Sequence, residues 1–289
     1  MDKTELSIII VNWKVKDLLE NCLASIFNYK EGYNLEVFVV DNNSADGSIE
    51  MIKNIYPQVK LIALPKNIGF GAANNLAIGQ AKADNIFLLN PDTEITKDFF
   101  QNIFHYIKNH PELGIIGPKI LNTDGSNQLS IRRLPDLLSQ ILVLLKLINV
   151  FPNNRILKRY LFKDFDYTKE QPVSQIMGAA MLIKKSVFNK IGTFDEKFFI
   201  WFEEVDLCQR ASRAGIEIRY FPGASIIHSG GESFSKNTIL RKQIIFDKSL
   251  LYYFYKHQAL WQTLIILLFI PINIILTSFY VIFLKSKTS

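Results

Sequence analysis

The sequence predicts an α/β fold: a mainly parallel sheet with helices on both faces, followed by a hydrophobic helical segment at the C-terminus. Three features of the 289-residue chain point to it. Short apolar runs alternate with helically spaced segments through the first part of the chain, as in a parallel sheet covered on both sides. Asn or Asp stands at or just after the ends of the first four runs. Residues 259–284 contain no charged side chain.

Leu6-Ser7-Ile8-Ile9-Ile10-Val11-Asn12 is the first strand, and its apolar run suits burial on both faces. Leu18, Leu19, Cys22, Leu23 and Ile26 give residues 15–29 a helical period. The second strand, residues 35–40, stops at the turn-rich Asp41-Asn42-Asn43-Ser44-Ala45-Asp46-Gly47, which leads into a helix. Residues 61–64 form the third strand, followed by Asn67-Ile68-Gly69-Phe70-Gly71 and a helix through Ala81. The fourth, 86–89, is broken by Asn90-Pro91-Asp92. A helix over 96–110 and a strand over 114–120 come next. Ligands of such sheets bind beyond the carboxyl ends of the strands, so Asn12, Asp41, Asn67 and Asp92 outline one cleft. Turn chemistry accounts for any one of them; four in succession favour a shared site.

Beyond residue 120 the pattern changes. Residues 136–151 read as an apolar helix followed by Arg155, Lys158, Arg159 and Lys163, which suits either core packing or a membrane interface. Residues 175–183 read as a strand containing Gly178-Ala179-Ala180, small residues that let a ligand approach the backbone. The run Phe198-Phe199-Ile200-Trp201-Phe202 then meets Glu203, Glu204 and Asp206. Apolar surroundings shift carboxyl pKa values, and the dipole of a helix starting at Glu204 stabilises acids in its first turn. That combination suits a general base, although an ordinary helix start has the same pattern. On a helix Glu203 and Asp206 share a face, Glu204 points about 100° away, and Arg210 can pair with Asp206. A short strand at 216–220 leads to His228-Ser229-Gly230-Gly231.

Residues 259–284 would make a helix of roughly 39 Å, enough to span a bilayer. Lys256 and His257 flank one end, Lys285 and Lys287 the other. Pro271 and Asn273 allow a kink or a re-entrant hairpin. A buried helix of a soluble protein is the other reading.

Lys and Arg exceed Asp and Glu by 33 to 27, a net charge of +6, which favours anionic partners such as phosphates or lipid surfaces. No nucleic-acid-binding module is recognisable, so no nucleic acid partner is expected. Cys22 and Cys208 form no CxxC pair, in keeping with a reducing compartment. The N-terminus lacks the h-region of a signal peptide. Asp92 and His228 are the most plausible metal pair, for a divalent cation such as Mg or Mn, of which Mn more readily accepts an imidazole. Each has an ordinary alternative, a capping turn for Asp92 and a structural role for His228. Asp41 lies where a nucleotide base or ribose would sit, or else closes an Asx-turn. There is no P-loop, and Gly69-Phe70-Gly71 is not a dinucleotide fingerprint.

Taken together, these residues resemble the family 2 glycosyltransferases of GT-A fold (Rossmann-like), and most closely the rhamnosyltransferase-like branch of bacterial surface polysaccharide synthesis. The resemblance rests on Ile8 to Trp13, Val39 to Ser48, Asn67 to Asn75 with Leu89 to Thr93, and Gly178 to Met181 through Gly192 to Glu196 to Glu203–Arg210, with His228 beyond. It implies a catalytic domain over residues 1–235, a juxtamembrane helix over 236–258 and a transmembrane or re-entrant segment over 259–284. It further implies inverting, metal-dependent transfer from a nucleoside diphosphate sugar to a lipid-linked or glycan acceptor, at the cytoplasmic face of the membrane. The donor site would include Val11, Asn12, Asp41, Asn43, Asn67, Gly69, Asn74, Asn90, Asp92 and Gly178. Asp41 would contact the base, and Asp92 would bind the metal with His228. Asn90 stands at the first acid of the DXD position. Glu204 aligns with the general base; Asp195, Glu203, Asp206 and Trp201 would shape the acceptor site or support the base. A sugar nucleotidyltransferase is the nearest alternative enzyme, but the chain lacks its glycine-rich loop after the first strand. A non-catalytic membrane protein that binds sugar or lipid is the alternative outside enzymes.

Overall fold

A computed structural model of the chain describes residues 3–30, 32–151, 153–230 and 239–288. In order the elements are β1 (Leu6–Asn12), α1 (Lys16–Tyr29), β2 (Leu35–Asp41), α2 (Ser48–Ile55), β3 (Lys60–Ala63), α3 (Phe70–Ile78), β4 (Asn85–Leu89), β5 (Thr93–Ile95), α4 (Phe99–Asn109), β6 (Ile115–Leu121), β7 (Ile131–Arg132), α5 (Leu137–Leu144), α6 (Leu147–Val150) and α7 (Arg155–Tyr160). They continue with β8 (Gln171–Pro172), β9 (Gln175–Ile176), β10 (Ala180–Lys184), α8 (Lys185–Ile191), α9 (Glu203–Arg213), β11 (Ile218–His228), α10 (Ile239–His257) and α11 (Leu260–Thr288).

The main sheet runs β3-β2-β1-β4-β10-β6-β11-β5, with β8 on β11. Its β3-β2-β1-β4 half is parallel, so four carboxyl ends share one edge. β10 is antiparallel to both β4 and β6, and β6 pairs with β11 in parallel. Helices cover both faces. Leu19, Leu23, Phe99 and Ile103 pack on one face of the sheet; Ala73, Ala77, Leu207 and Cys208 pack on the other. This α/β sheet with helices on both faces is the predicted fold class.

Several local expectations change. The helix read over 136–151 is broken at Lys146, whose φ of 58° is left-handed, leaving α5 and α6. The helix read over 96–110 begins only at Phe99: the Thr96 hydroxyl donates to the Ser225 carbonyl of β11 at 2.7 Å, and residues 97–98 turn into the helix. The strand read over 175–183 is two short strands that join different sheets. α11 continues through Pro271, so the re-entrant hairpin is not formed: one missing N–H does not end a helix packed along its neighbour. Residues 231–238, with the 235/236 domain boundary, lie outside the described residues.

A third apolar cluster joins the body to the C-terminal helices. Phe198, Phe202 and Val205 meet Leu250, Tyr253 and Phe254 of α10 and Ile266 of α11. The aromatic run that precedes the acids is therefore the seam along which α10 docks.

Candidate active site

A cavity of about 500 Å³ opens at the carboxyl edge of the parallel strands. Of the predicted residues, Val11, Asn67, Gly69, Asn90, Asp92, Gly178, Trp201, Glu203, Glu204 and His228 line it.

Asn67 and Gly69 form the turn before α3. The Asn67 side chain accepts from the Gly69 amide at 2.9 Å. Gly69 has φ +91°, and a Cβ there would stand 2.4 Å from the Phe199 carbonyl oxygen. The Phe70 amide donates to that same oxygen at 2.8 Å, so the turn is clamped to the aromatic run.

That run ends in two consecutive non-glycine residues with positive φ, Trp201 at 65° and Phe202 at 68°. This costly backbone persists because both side chains are packed, Phe202 against Phe246 and Tyr253. Ser249 of α10 donates to the Ile200 carbonyl at 2.9 Å. The tight turn starts α9 at Glu203, one residue before the predicted start, and brings Glu203 and Glu204 to the cavity.

The three acids of α9 separate, but not as the helical spacing suggests: Glu203 and Glu204 both line the cavity, whereas Asp206, expected on the face of Glu203, does not. Glu203 is 4% exposed, and its Oε2 has no hydrogen-bond partner. Burial, then the neighbouring Glu204 charge, raise its pKa well above the usual carboxyl range. Glu204 lies against Gly178, with its Cγ 3.5 Å from where a Cβ would stand. Burial raises its pKa as well, and the Arg132 charge opposes the rise. Asp206 is fully buried and faces away from the cavity. It accepts from Arg210 Nε at 2.8 Å, as predicted, and also from Lys256 at 2.7 Å and His257 at 2.7 Å. Burial alone would raise its pKa, but His257, Lys256 and Arg210 hold it at about 2. Asp195 is likewise outside the cavity; Tyr252 donates to it at 2.9 Å and Lys256 at 2.6 Å.

At the opposite wall, Asn90 is anchored by its amide to the Ala179 carbonyl at 2.9 Å. Asp92 and His228 sit where β5 meets the end of β11, with Ser229 N donating to the Asp92 carbonyl at 2.9 Å. Asp92 Oδ1 is 3.3 Å from His228 Nε2, and that nitrogen is buried without a hydrogen-bond partner. Its other ring nitrogen, Nδ1, is 2.7 Å from Gln128 Oε1.

Four predicted donor-site residues do not line the cavity. Asn12 is fully buried beneath it, and its amide donates to Asp41 at 2.9 Å, Ser44 at 3.0 Å and Ser48 at 2.9 Å. Asp41 is fully buried too and accepts the Ser44 amide at 3.0 Å, the Asx-turn alternative. Asn43 is exposed with φ 62°, a turn residue. Asn74 is inside α3, donating to the Phe70 carbonyl at 3.0 Å. In their place the loop after β2 presents Asn42, which holds the Ile68 amide at 2.9 Å and the Gly69 carbonyl at 3.1 Å. Ser130, Arg132, Gln175, Met177 and Lys242 also line the cavity and were not predicted. The first four come from β7, β9 and their flanks, strands too short to show a period, and Lys242 comes from α10.

The family model described as "Glycosyl transferase family 2" matches residues 7–192. The chain belongs to glycosyl transferase family 2. A match to the "N-terminal domain of galactosyltransferase" covers residues 161–230, and with them the acids of α9. Within the family this glycosyltransferase is rhamnosyltransferase-like. It is 26% identical over 268 residues to the N-acetylglucosaminyl-diphospho-decaprenol L-rhamnosyltransferase of Mycobacterium tuberculosis, covering 89% of this chain and 86% of that one. The rhamnosyltransferase WbbL of Escherichia coli is 28% identical over 224 residues, 74% of this chain and 78% of WbbL. A mannosyltransferase from Pyrobaculum calidifontis, solved in complex with GDP-Man and Mn2+, shares the fold with a TM-score of 0.57 at 15% identity, over 88% of this chain and 64% of that one.

Proposed function

We propose that this glycosyltransferase moves a sugar from a nucleoside diphosphate sugar to a hydroxyl of a lipid-linked glycan, with inversion at the anomeric carbon. The observation that carries the reading is the placement of Glu204 against Gly178, in one cavity with Asp92 and His228. Glu204 takes the proton of the acceptor hydroxyl as its oxygen bonds to the anomeric carbon. The bond from that carbon to the diphosphate breaks, and the nucleoside diphosphate leaves with the electron pair. Burial raises the pKa of both adjacent carboxyls; the Glu204 charge adds to the rise at Glu203, whereas the Arg132 charge opposes it at Glu204, an asymmetry that suits Glu204 as the base. Asp206 fixes α9 from behind.

The residues at the second wall fit a divalent cation, Mg or Mn. A buried, unpartnered imidazole nitrogen converges with a carboxylate oxygen, a donor set that such cations accept. Among the described residues no three His, Cys, Asp or Glu side chains cluster for metal binding, so Asp92 and His228 would hold the ion together with donor diphosphate oxygens. A bound ion there would supply charge neutralisation at the leaving diphosphate.

The acceptor's lipid is read from the names of the relatives and from α11. Leu260–Ile282 is long and apolar enough to cross a membrane. One face of α11, with Ile266, Asn273 and Thr277, is buried, whereas Leu260, Leu264, Leu268, Ile275 and Phe279 form an exposed stripe. Asn273 donates to Asp247 of α10 at 2.7 Å, which sets the exposed Lys248 beside the middle of α11. Carrying such a charge to the bilayer centre costs about 2.5–3.5 kcal/mol. The arrangement therefore supports α11 lying in the membrane surface with its stripe inserted, not crossing alone. A membrane-held enzyme meets a lipid-linked acceptor at raised effective concentration.

The test is release of nucleoside diphosphate by purified protein with Mn2+ or Mg2+, offered dTDP-rhamnose or UDP-sugars and a polyprenyl diphosphate-linked N-acetylglucosamine. Acceptor-dependent release is expected with one donor; none with any donor overturns the reading.

A further inference from the structure

We propose that Gln128 is a positioning residue for His228: it holds the imidazole in the Nδ1–H tautomer and so aims a bare Nε2 lone pair at Asp92. A chain of hydrogen bonds reaches His228 through Gln128, and its polarity is fixed at its far end. Asp124, in the turn after β6, is a surface carboxylate and can only accept. The Ser126 hydroxyl donates to it at 2.6 Å, and the Ser126 amide donates at 2.9 Å. These two bonds hold the Asp124 carboxyl below the usual range, and hence ionised. With its proton committed, the Ser126 oxygen accepts from Asn122 Nδ2 at 2.8 Å. Asn122 therefore turns its Oδ1 outward, where it accepts from Gln128 Nε2 at 2.9 Å. That fixes the Gln128 amide, which is otherwise ambiguous, with Oε1 toward His228 Nδ1 at 2.7 Å. An amide oxygen cannot donate, so Nδ1 must carry the hydrogen, and Nε2 of the neutral ring is left as an acceptor.

The backbone is pinned as firmly as the ring. Gln128 N donates to the Ile120 carbonyl at 2.9 Å, and its Nε2 also reaches the His228 carbonyl at 3.4 Å. β11 is paired with β5 at His228 and Thr93. The outcome is a buried Nε2 with no hydrogen-bond partner, 3.3 Å from Asp92 Oδ1. An unpaired buried acceptor costs free energy, and a relay that enforces one is most simply understood if a cation completes it. The consequence for metal affinity rests on the cation reading given above; the tautomer does not.

The tautomer is read in metal-free protein labelled with 15N-histidine, at about pH 8.5, where an ordinary imidazole is neutral. His228→Asn assigns the signal among the four histidines. We expect a protonated Nδ1 in the natural protein, a mixture of tautomers in Gln128→Leu, and the single tautomer again in Gln128→Glu, whose carboxylate also accepts. Mn2+ affinity, alone and with dTDP or UDP, should fall about 10–100-fold in Gln128→Leu and recover in Gln128→Glu. A protonated Nε2 in the natural protein, or a Gln128→Leu protein with unchanged tautomer and Mn2+ affinity, overturns the proposal. Asp92→Ala and His228→Ala proteins that bind Mn2+ like the natural one would instead sink the cation reading, and the metal-free spectra would still decide the role of Gln128.

Discussion

Gly69 and Phe199 touch where no side chain fits: a Cβ on Gly69 would stand 2.4 Å from the Phe199 carbonyl oxygen. The contact joins the turn before α3 to the run that delivers Glu203 and Glu204, so two parts of the cavity lining share one joint. Gly69→Ala meets both a backbone oxygen and a φ of +91°. A loss of about 2 kcal/mol in urea unfolding is expected, with a larger fractional loss of transfer. Natural stability and activity in Gly69→Ala would show that the joint does not set the site.

The adjacent acids should behave as opposites. Glu204→Gln removes the base and should lower transfer about 10²–10⁴-fold while nucleotide affinity by calorimetry stays near natural. Because burial raises the Glu204 pKa, the acid limb of kcat/KM should lie above the usual carboxyl range. A fully active Glu204→Gln enzyme would end the assignment.

Glu203→Gln replaces a buried carboxyl of raised pKa with a near-isostere and should keep most activity. Its effect on stability has a definite sign. The folded-state pKa of Glu203 is raised above its unfolded value, so stability is greatest below the unfolded pKa and falls as pH rises toward the folded pKa. Glu203→Gln removes that loss and should raise the melting temperature at neutral pH but not at about pH 4. An equal or lower melting temperature at pH 7 would mean that the buried carboxyl has a partner when ionised.

The parallel half of this sheet was readable because its information is local: β1 to β4 are apolar runs with helices between them. The antiparallel place of β10 between β4 and β6 was not, since its partners lie about 70 to 100 residues away and leave no mark on its own sequence. Asn12 and Asp41 show the same limit at the site. Both were correctly placed at strand ends, but residues paired in register across β1 and β2 bind each other, and sequence does not say which way they turn. Glu203 and Glu204 were readable as cavity acids because an apolar run meets a helix start there; the opposite face of Asp206 was not, because Lys256 and His257 reach it from α10. Gln128 and Arg132 were not, because they act from a turn and a two-residue strand.

Asp206 should make the protein acid-sensitive. Its carboxyl is held at about 2 against an ordinary value of about 3.9. A depressed folded-state pKa contributes stability that is fully present above the unfolded value and lost as pH falls from there toward 2. The difference corresponds to about 2–3 kcal/mol. Asp206→Asn should remove that dependence and destabilise the protein at pH 7 by about 3 kcal/mol, since Arg210, Lys256 and His257 lose their shared acceptor. Denaturant unfolding at pH 7 and at about pH 3 measures both; parallel losses in the two proteins on acidification would refute the account.

α11 should hold the protein to membranes through its exposed stripe. Leu268 and Ile275 belong to its exposed stripe, so changing them should not disturb the fold. If the stripe enters the membrane surface, each buried side chain contributes roughly 1.5–3 kcal/mol to binding. Leu268→Asp or Ile275→Asp should then weaken sedimentation with anionic phospholipid vesicles at least about tenfold, with the melting temperature unchanged. A helix lying in the surface holds less firmly than one that spans, so alkaline carbonate should release the natural protein from membranes. Release together with weakened vesicle binding supports the surface-lying arrangement. A protein that stays in the membrane after carbonate, whatever the stripe substitutions, would mean that α11 leaves the flank of α10 and crosses the bilayer.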